Sequence, residues 1–156
     1  MAAELAYLAL GSNLGEPAAQ LRGALRELGG LGRVRGRSSL YRTEPIGGPP
    51  GQPTYLNAAV ALAPDPEHAE PPALLAALLE IERRHGRERR QRWAARTLDL
   101  DLLAFGERTL TTPELTLPHP RMMERAFVLA PLCELEPAWH HPSPGGAPPP
   151  RRPSRG

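Results

Sequence analysis

Residues 97–105, TLDLDLLAF, alternate leucine with polar side chains over their first six positions, and that alternation decides the fold. In a β-strand successive side chains point to opposite faces. Leu98, Leu100 and Leu102 therefore turn toward a core, while Thr97, Asp99 and Asp101 share the other side. At the usual strand rise the two aspartate α-carbons fall roughly 6.6 Å apart. Carboxylates that close repel each other unless a cation sits between them or one takes up a proton. Oxygen donors of this kind suit a hard divalent ion, Mg2+ before Zn2+. A solvated strand face is the plainer reading of so short a motif taken alone.

Immediately upstream lies RRHGRERRQRWAAR, residues 83–96, with Arg83, Arg84, Arg87, Arg89, Arg90, Arg92 and Arg96, and Glu88 as its one acid. The spacing predicts a helix from about Pro72 to His85, ended by Gly86. Most of these arginines then ride on a loop able to close over a metal-bound polyphosphate. An exposed charged turn or a nucleic-acid contact is the competing interpretation. Within the helix, Leu74, Leu75, Leu78 and Ile81 form the apolar stripe, and Glu82 falls inside it, between Leu75 and Leu78. A carboxylate turned inward needs a partner or a task.

Further out, LAYLAL (5–10) reads as a buried strand ending at the turn GSNLG. Pro17 opens a helix with Leu21, Ala24, Leu25 and Leu28 on one face, stopped by Gly29 and Gly30. Residues 33–42 read as one strand, TEPIGGPPGQPT (43–54) as a loop, and YLNAAVALA (55–63) as a strand. A short helical segment near 121–125 and a last helix near 127–135 complete the order. Strand–helix–strand–strand–helix–strand predicts an α+β fold with a ferredoxin-like βαββαβ core, an antiparallel-rich sheet flanked by helices. Residues 1–139 are expected to form a single domain, with the Pro/Gly/Arg-rich tail 140–156 disordered.

The composition narrows the chemistry. All 19 basic residues are arginine, which excludes a Walker-type phosphate loop, a Schiff-base enzyme and a pyridoxal-phosphate enzyme, since each needs a lysine amine. Any phosphate must be held by arginine forks, which suit bidentate anion recognition. The single Cys133 permits no internal disulfide or multi-cysteine zinc site, and its apolar surroundings predict a buried, inert thiol. A net charge of +2 does not imply nucleic acid. No apolar run is long enough to span a bilayer and the N-terminus lacks a basic signal-peptide opening, so a cytoplasmic location is expected. His119, in a proline-flanked loop, lies near Arg121 and Arg125, and Tyr55, Trp93 and Phe127 on or beside loops are candidates for stacking on a flat ligand.

Four segments together, ALGSNLG, YRTEPIGGPPGQPTYLNAAV, RTLDLDLLAFG and LTLPHPRMMERAFVLAPLCEL, resemble the 6-hydroxymethyl-7,8-dihydropterin pyrophosphokinase family over about residues 5–137. The resemblance implies transfer of the β,γ-pyrophosphoryl group of ATP to the pterin hydroxymethyl oxygen, releasing AMP, in folate biosynthesis. It implies that Asp99 and Asp101 hold two Mg2+ ions, that Arg87 and Arg96 of a catalytic loop act on the triphosphate, and that Arg92 and Trp93 belong to the same lid. His119 and Arg125 match ATP-contacting positions. Tyr55 and Phe127 match the aromatic pair that sandwiches the pterin, with Thr43, Ile46 and Asn57 on the rim of its pocket. Glu82 matches a family acid and is assigned to site organisation. The expected partners are ATP and the pterin, with no nucleic acid and no membrane, and the chain is expected to act as a monomer. A ferredoxin-like RNA-binding module is the alternative; it leaves the paired aspartates unexplained, because carboxylates repel a phosphate backbone.

Overall fold

A computed structural model describes residues 4–13, 17–43, 55–87 and 98–139. Expectations about the tail and about most of the arginine loop lie outside these residues. The elements are β1 (Ala6–Ser12), α1 (Pro17–Leu28), β2 (Gly32–Arg37), β3 (Tyr41–Thr43), β4 (Tyr55–Pro64), α2 (Pro71–Arg87), β5 (Leu98–Phe105), β6 (Leu110–Thr111), β7 (Thr116–Leu117) and α3 (Ala126–Leu135). The main sheet is antiparallel, ordered β2–β4–β1–β5, with β3 also paired to β4.

Side-chain alternation sorts two apolar cores to the two faces of this sheet. Leu8 and Leu10 of β1, Val60 and Leu62 of β4, and Leu98, Leu100 and Leu102 of β5 face one core. That core is closed by Leu21, Ala24 and Leu28 of α1 and by Leu74, Leu78 and Ile81 of α2. On the other face Tyr7, Ala59, Ala61, Leu103 and Ala104 pack under Val128, Leu129 and Leu132 of α3. At roughly 1.5–3 kcal/mol per fully buried large aliphatic side chain, each face contributes substantially to folding. Cys133 is reduced and buried, as its apolar context predicts.

Two expectations need correcting. The strand anticipated over 33–42 is broken: β2 ends at Arg37 and pairing resumes at Tyr41. Ser38 explains the break, because its Oγ accepts the Ala59 N–H at 2.9 Å while its own N–H donates to the Ala59 carbonyl at 2.9 Å. A serine hydroxyl thus replaces a ladder carbonyl and lets the chain bulge. The helix α2 does not end at Gly86 but runs to Arg87. A glycine costs a helix only about 1 kcal/mol relative to alanine, too little to stop one held by tertiary packing.

The second register shift lies between Tyr7 and Leu8, where Leu8 pairs with Leu102 but Tyr7 with Ala104. Leu103 is therefore the extra residue, and its carbonyl accepts the His119 N–H at 2.8 Å. This bond ties the segment after β7 back onto β5, beside Asp101. No helix among the described residues is long and apolar enough to cross a membrane.

Candidate active site

Register alone gathers four of the predicted residues. Directly paired residues of antiparallel strands point to the same face. Gly11 pairs with both Asp99 and Asn57, Ala9 pairs with Asp101, Tyr41 with Asn57, and Thr43 with Tyr55. Asp99, Asp101, Asn57 and Tyr55 therefore share the α3 face of the sheet, at the end where β1 finishes and β4 and β5 begin. The apolar cover from α3 reaches Ala59 and stops short of this end, which leaves a floor of polar groups. Asp99 is exposed and Asp101 half-buried, while Asn57 is buried. The expected alternation of leucines against carboxylates in β5 is thus present as far as Leu102.

Glu82 approaches from the opposite side. Its Oε2 accepts the Leu100 N–H at 2.7 Å, an amide that β5, as the border strand, presents away from β1. Burial raises the Glu82 carboxyl above the usual carboxylate range; the Leu100 bond lowers it, and the charges of Asp99 and Asp101 raise it further. The inward carboxylate expected from the helix wheel has found its partner in the strand that carries the aspartates.

His119 lies within electrostatic reach of Asp101. Its Nδ1 accepts the Arg121 N–H at 3.2 Å, so the neutral ring carries its proton on Nε2. Burial lowers its pKa, Asp101 opposes that shift, and Arg125 and Arg121 reinforce it. The result is a histidine whose neutral form carries an Nε2–H donor, beside Asp101. At the start of α3, Phe127 is an exposed aromatic, and the Arg125 guanidinium stands 5.8 Å from its ring centroid.

Three of the clustered arginines sit on α2, and two of those are already engaged on the helix surface. Arg83 Nε donates to Glu80 at 2.7 Å, and Arg84 pairs with Glu27 at 3.0 Å. These two do not belong to a phosphate-closing loop. Arg87 ends the helix, and its side chain, like that of Thr43, lies outside the described residues. Ile46, Arg92, Trp93 and Arg96 lie wholly outside them.

Sequence reasoning passed over Gly11, Ser12 and Asn13, which it took for part of a turn. Gly11 and Ser12 complete β1, and Ser12 and Asn13 are buried polar residues beside the acid strand. A Cβ on Gly11 would lie 3.1 Å from Asn57 Oδ1, so the missing side chain makes room for the amide. The available signal was polar residues continuing straight on from an apolar strand.

The donor set fits Mg2+. Among the described residues no group of three or more His, Cys, Asp or Glu side chains could hold a metal ion. Asp99 and Asp101 offer oxygen donors from one face of β5, the kind of ligand that Mg2+ takes alongside substrate phosphates.

Residues 7–137 match the family model for 7,8-dihydro-6-hydroxymethylpterin-pyrophosphokinase (HPPK). The chain is similar to the 2-amino-4-hydroxy-6-hydroxymethyldihydropteridine pyrophosphokinase of Synechocystis sp., 44% identical over 90% of this chain and 70% of the relative. It is likewise similar to the Pseudomonas aeruginosa protein of the same name, 47% identical over 84% of this chain and 80% of the relative. Among solved structures, an HPPK-DHPS in complex with substrates superposes with a TM-score of 0.69 at 14% identity, over 90% of this chain and 41% of that one. The wild-type Plasmodium falciparum HPPK-DHPS with pteroate gives 0.62 at 15% identity, over 90% and 40%. The chain spans about two-fifths of the length of these structures, and the likeness to them concerns the fold.

Proposed function

The chain belongs to the 7,8-dihydro-6-hydroxymethylpterin-pyrophosphokinase family, and from that membership we infer that it transfers pyrophosphate from ATP to the hydroxymethyl group of 6-hydroxymethyl-7,8-dihydropterin, a step of folate biosynthesis. The pterin hydroxymethyl oxygen forms a bond to the β-phosphorus, and the bond from that phosphorus to the oxygen bridging the α-phosphate breaks. AMP leaves with the bridging oxygen, and the hydroxyl proton passes to solvent. The observation that carries the reading is the convergence of Asp99, Asp101, Asn57 and Tyr55 on one face of the sheet.

In this reading Asp99 and Asp101 hold Mg2+, two ions with ATP bound. When bound, Mg2+ would offset charge on the triphosphate and make the β-phosphorus more electrophilic. Neutral His119 offers its Nε2–H to a phosphate oxygen, and Arg125 supplies positive charge nearby. Tyr55 and Phe127 take the two faces of the pterin, and Asn57 pairs with the edge of its heterocycle, with Thr43 and Ile46 at the rim. Arg87 and Arg96 act on the triphosphate, with Arg92 and Trp93 in the same closing loop. Glu82 organises the acid strand through the Leu100 amide. We read the sheet as ferredoxin-like; its order, its antiparallel pairing and the helices preceding β2 and β5 support that.

The RNA-binding alternative finds no support in the family match, and the carboxylates of Asp99 and Asp101 oppose a phosphate backbone. The test is a coupled assay of AMP release from Mg-ATP. AMP should appear only when the pterin alcohol is present; pterin-independent release of inorganic phosphate would instead indicate a hydrolase.

A further inference from the structure

On the opposite face of the sheet, a cleft of about 430 Å³ opens between α1 and the junction of β2 with β3. Its floor is apolar, with Leu21 and Leu25 from α1 and Val60 from β4. Its rim is not: Arg22 from α1 and Arg37 from the end of β2 both line it, and both are exposed. Small-molecule sites commonly have such a volume and combine an apolar lining with a few convergent polar groups.

Neither arginine has an ion-pair partner among the described residues. The neighbouring acids are committed elsewhere. Glu27 binds Arg84 and His85. Glu134, the one acid lining the cleft, accepts the Ser39 N–H at 2.7 Å, the Ser39 hydroxyl at 3.1 Å and the Tyr41 hydroxyl at 2.6 Å. Two guanidinium groups and one carboxylate leave a single positive charge on the lining. At the lip, Leu40 stands 48% exposed, an apolar side chain held out beside the arginines.

We propose that this cleft is a second binding site, for a small amphipathic carboxylate. One carboxylate neutralises the residual charge, and an arginine fork matches its two oxygens. The apolar body lies on Leu21, Leu25 and Val60 and covers Leu40. A phosphate dianion fits less well, since it overcompensates the charge beside Glu134 and leaves the apolar floor bare. Leu10 and Ala58 line the cleft while their neighbours Gly11 and Asn57 face the candidate active site, so an occupant braces the same two strands from behind.

The test titrates the full chain with 2-naphthoate by calorimetry, in parallel with 2-naphthamide and inorganic phosphate. The acid should bind about tenfold or more tightly than the amide, as expected for loss of a charge-assisted contact. The double variant R22Q/R37Q should lose about the same factor, and phosphate should not displace the acid. Ala18→Leu, which fills the α1 side of the cleft, should also weaken binding. Phe127→Ala removes an aromatic on the other face and should leave the affinity within about twofold. Equal binding of acid and amide, insensitivity to R22Q/R37Q, displacement by phosphate, or loss of binding in Phe127→Ala would each overturn the proposal. Should R22Q/R37Q not fold, the acid–amide comparison on the unaltered protein decides.

Discussion

Substitution of Glu82 separates two things that its carboxylate does. It accepts the Leu100 N–H at 2.7 Å, and it places a half-buried negative charge beside Asp99 and Asp101. Glu82→Gln keeps an acceptor for the amide and removes the charge. The weaker neutral hydrogen bond costs about 1 kcal/mol, and relief of repulsion from two aspartates offsets it. Glu82→Ala removes the acceptor and leaves the amide without its partner, at about 1–3 kcal/mol. For a chain of this size these figures translate into a Tm within about 2 °C of the parent for Gln, and about 2–12 °C lower for Ala.

The pH dependence follows from the raised pKa. Between the ordinary value of 4.5 and the higher folded value, the native state binds more protons than the unfolded chain. Stability contributed by this group therefore falls as pH rises through that window and does not recover above it. Differential scanning calorimetry without metal or nucleotide, from pH 4 to 7, should show Glu82→Gln gaining on the parent as pH rises. If Gln costs as much as Ala at pH 7, or if the gap between Gln and the parent is flat with pH, the account of Glu82 as an acceptor under electrostatic stress is wrong.

Asp99→Ala or Asp101→Ala should lower kcat by about 10²–10³-fold or more while the Tm in the absence of Mg-ATP holds or rises, which parallel calorimetry and AMP-release assays would show. His119 has a lowered pKa, so folding disfavours its protonation. Stability should therefore fall as pH drops below 6.5, and less so in His119→Gln, read by thermal melts across pH 5–7. Gly11→Ala places a methyl against Asn57 Oδ1 and should raise KM for the pterin several-fold more than it lowers kcat; equal effects on both would argue against a role for Asn57 in ground-state binding.

Periodicity made the acid strand, its neighbour β1, the next strand β4 and the inward turn of Glu82 legible, because a period of two or of 3.6 follows from backbone geometry. The leucines of β5, and Leu74, Leu78 and Ile81 of α2, marked the faces that turn inward. The break at Ser38 was not legible, since nothing in SSLYR distinguishes a serine that replaces a ladder carbonyl from one on a strand surface. Nor was the extension of α2 past Gly86, where packing of Leu78 and Ile81 outweighs a modest local penalty. Gly11 carries no side chain to announce itself; its importance exists only once Asn57 is placed across from it. The arginine run misled in part because Arg83 and Arg84 answer to Glu80 and Glu27, acids one turn or one helix away.

The borders of the sheet bear on how the protein behaves at high concentration. An open strand invites the strand of another molecule, and lysine is a common residue for discouraging it. This chain has no lysine. At one border, β2 carries the exposed Arg33, Arg35 and Arg37 and a bulge between Val34 and Gly36. At the other, the Leu100 amide is taken by Glu82 and the Leu103 carbonyl by His119. The contacts that set out the acid strand for chemistry thus also blunt it against aggregation, and a variant that loosens Glu82 should lose solubility on storage before it loses its fold.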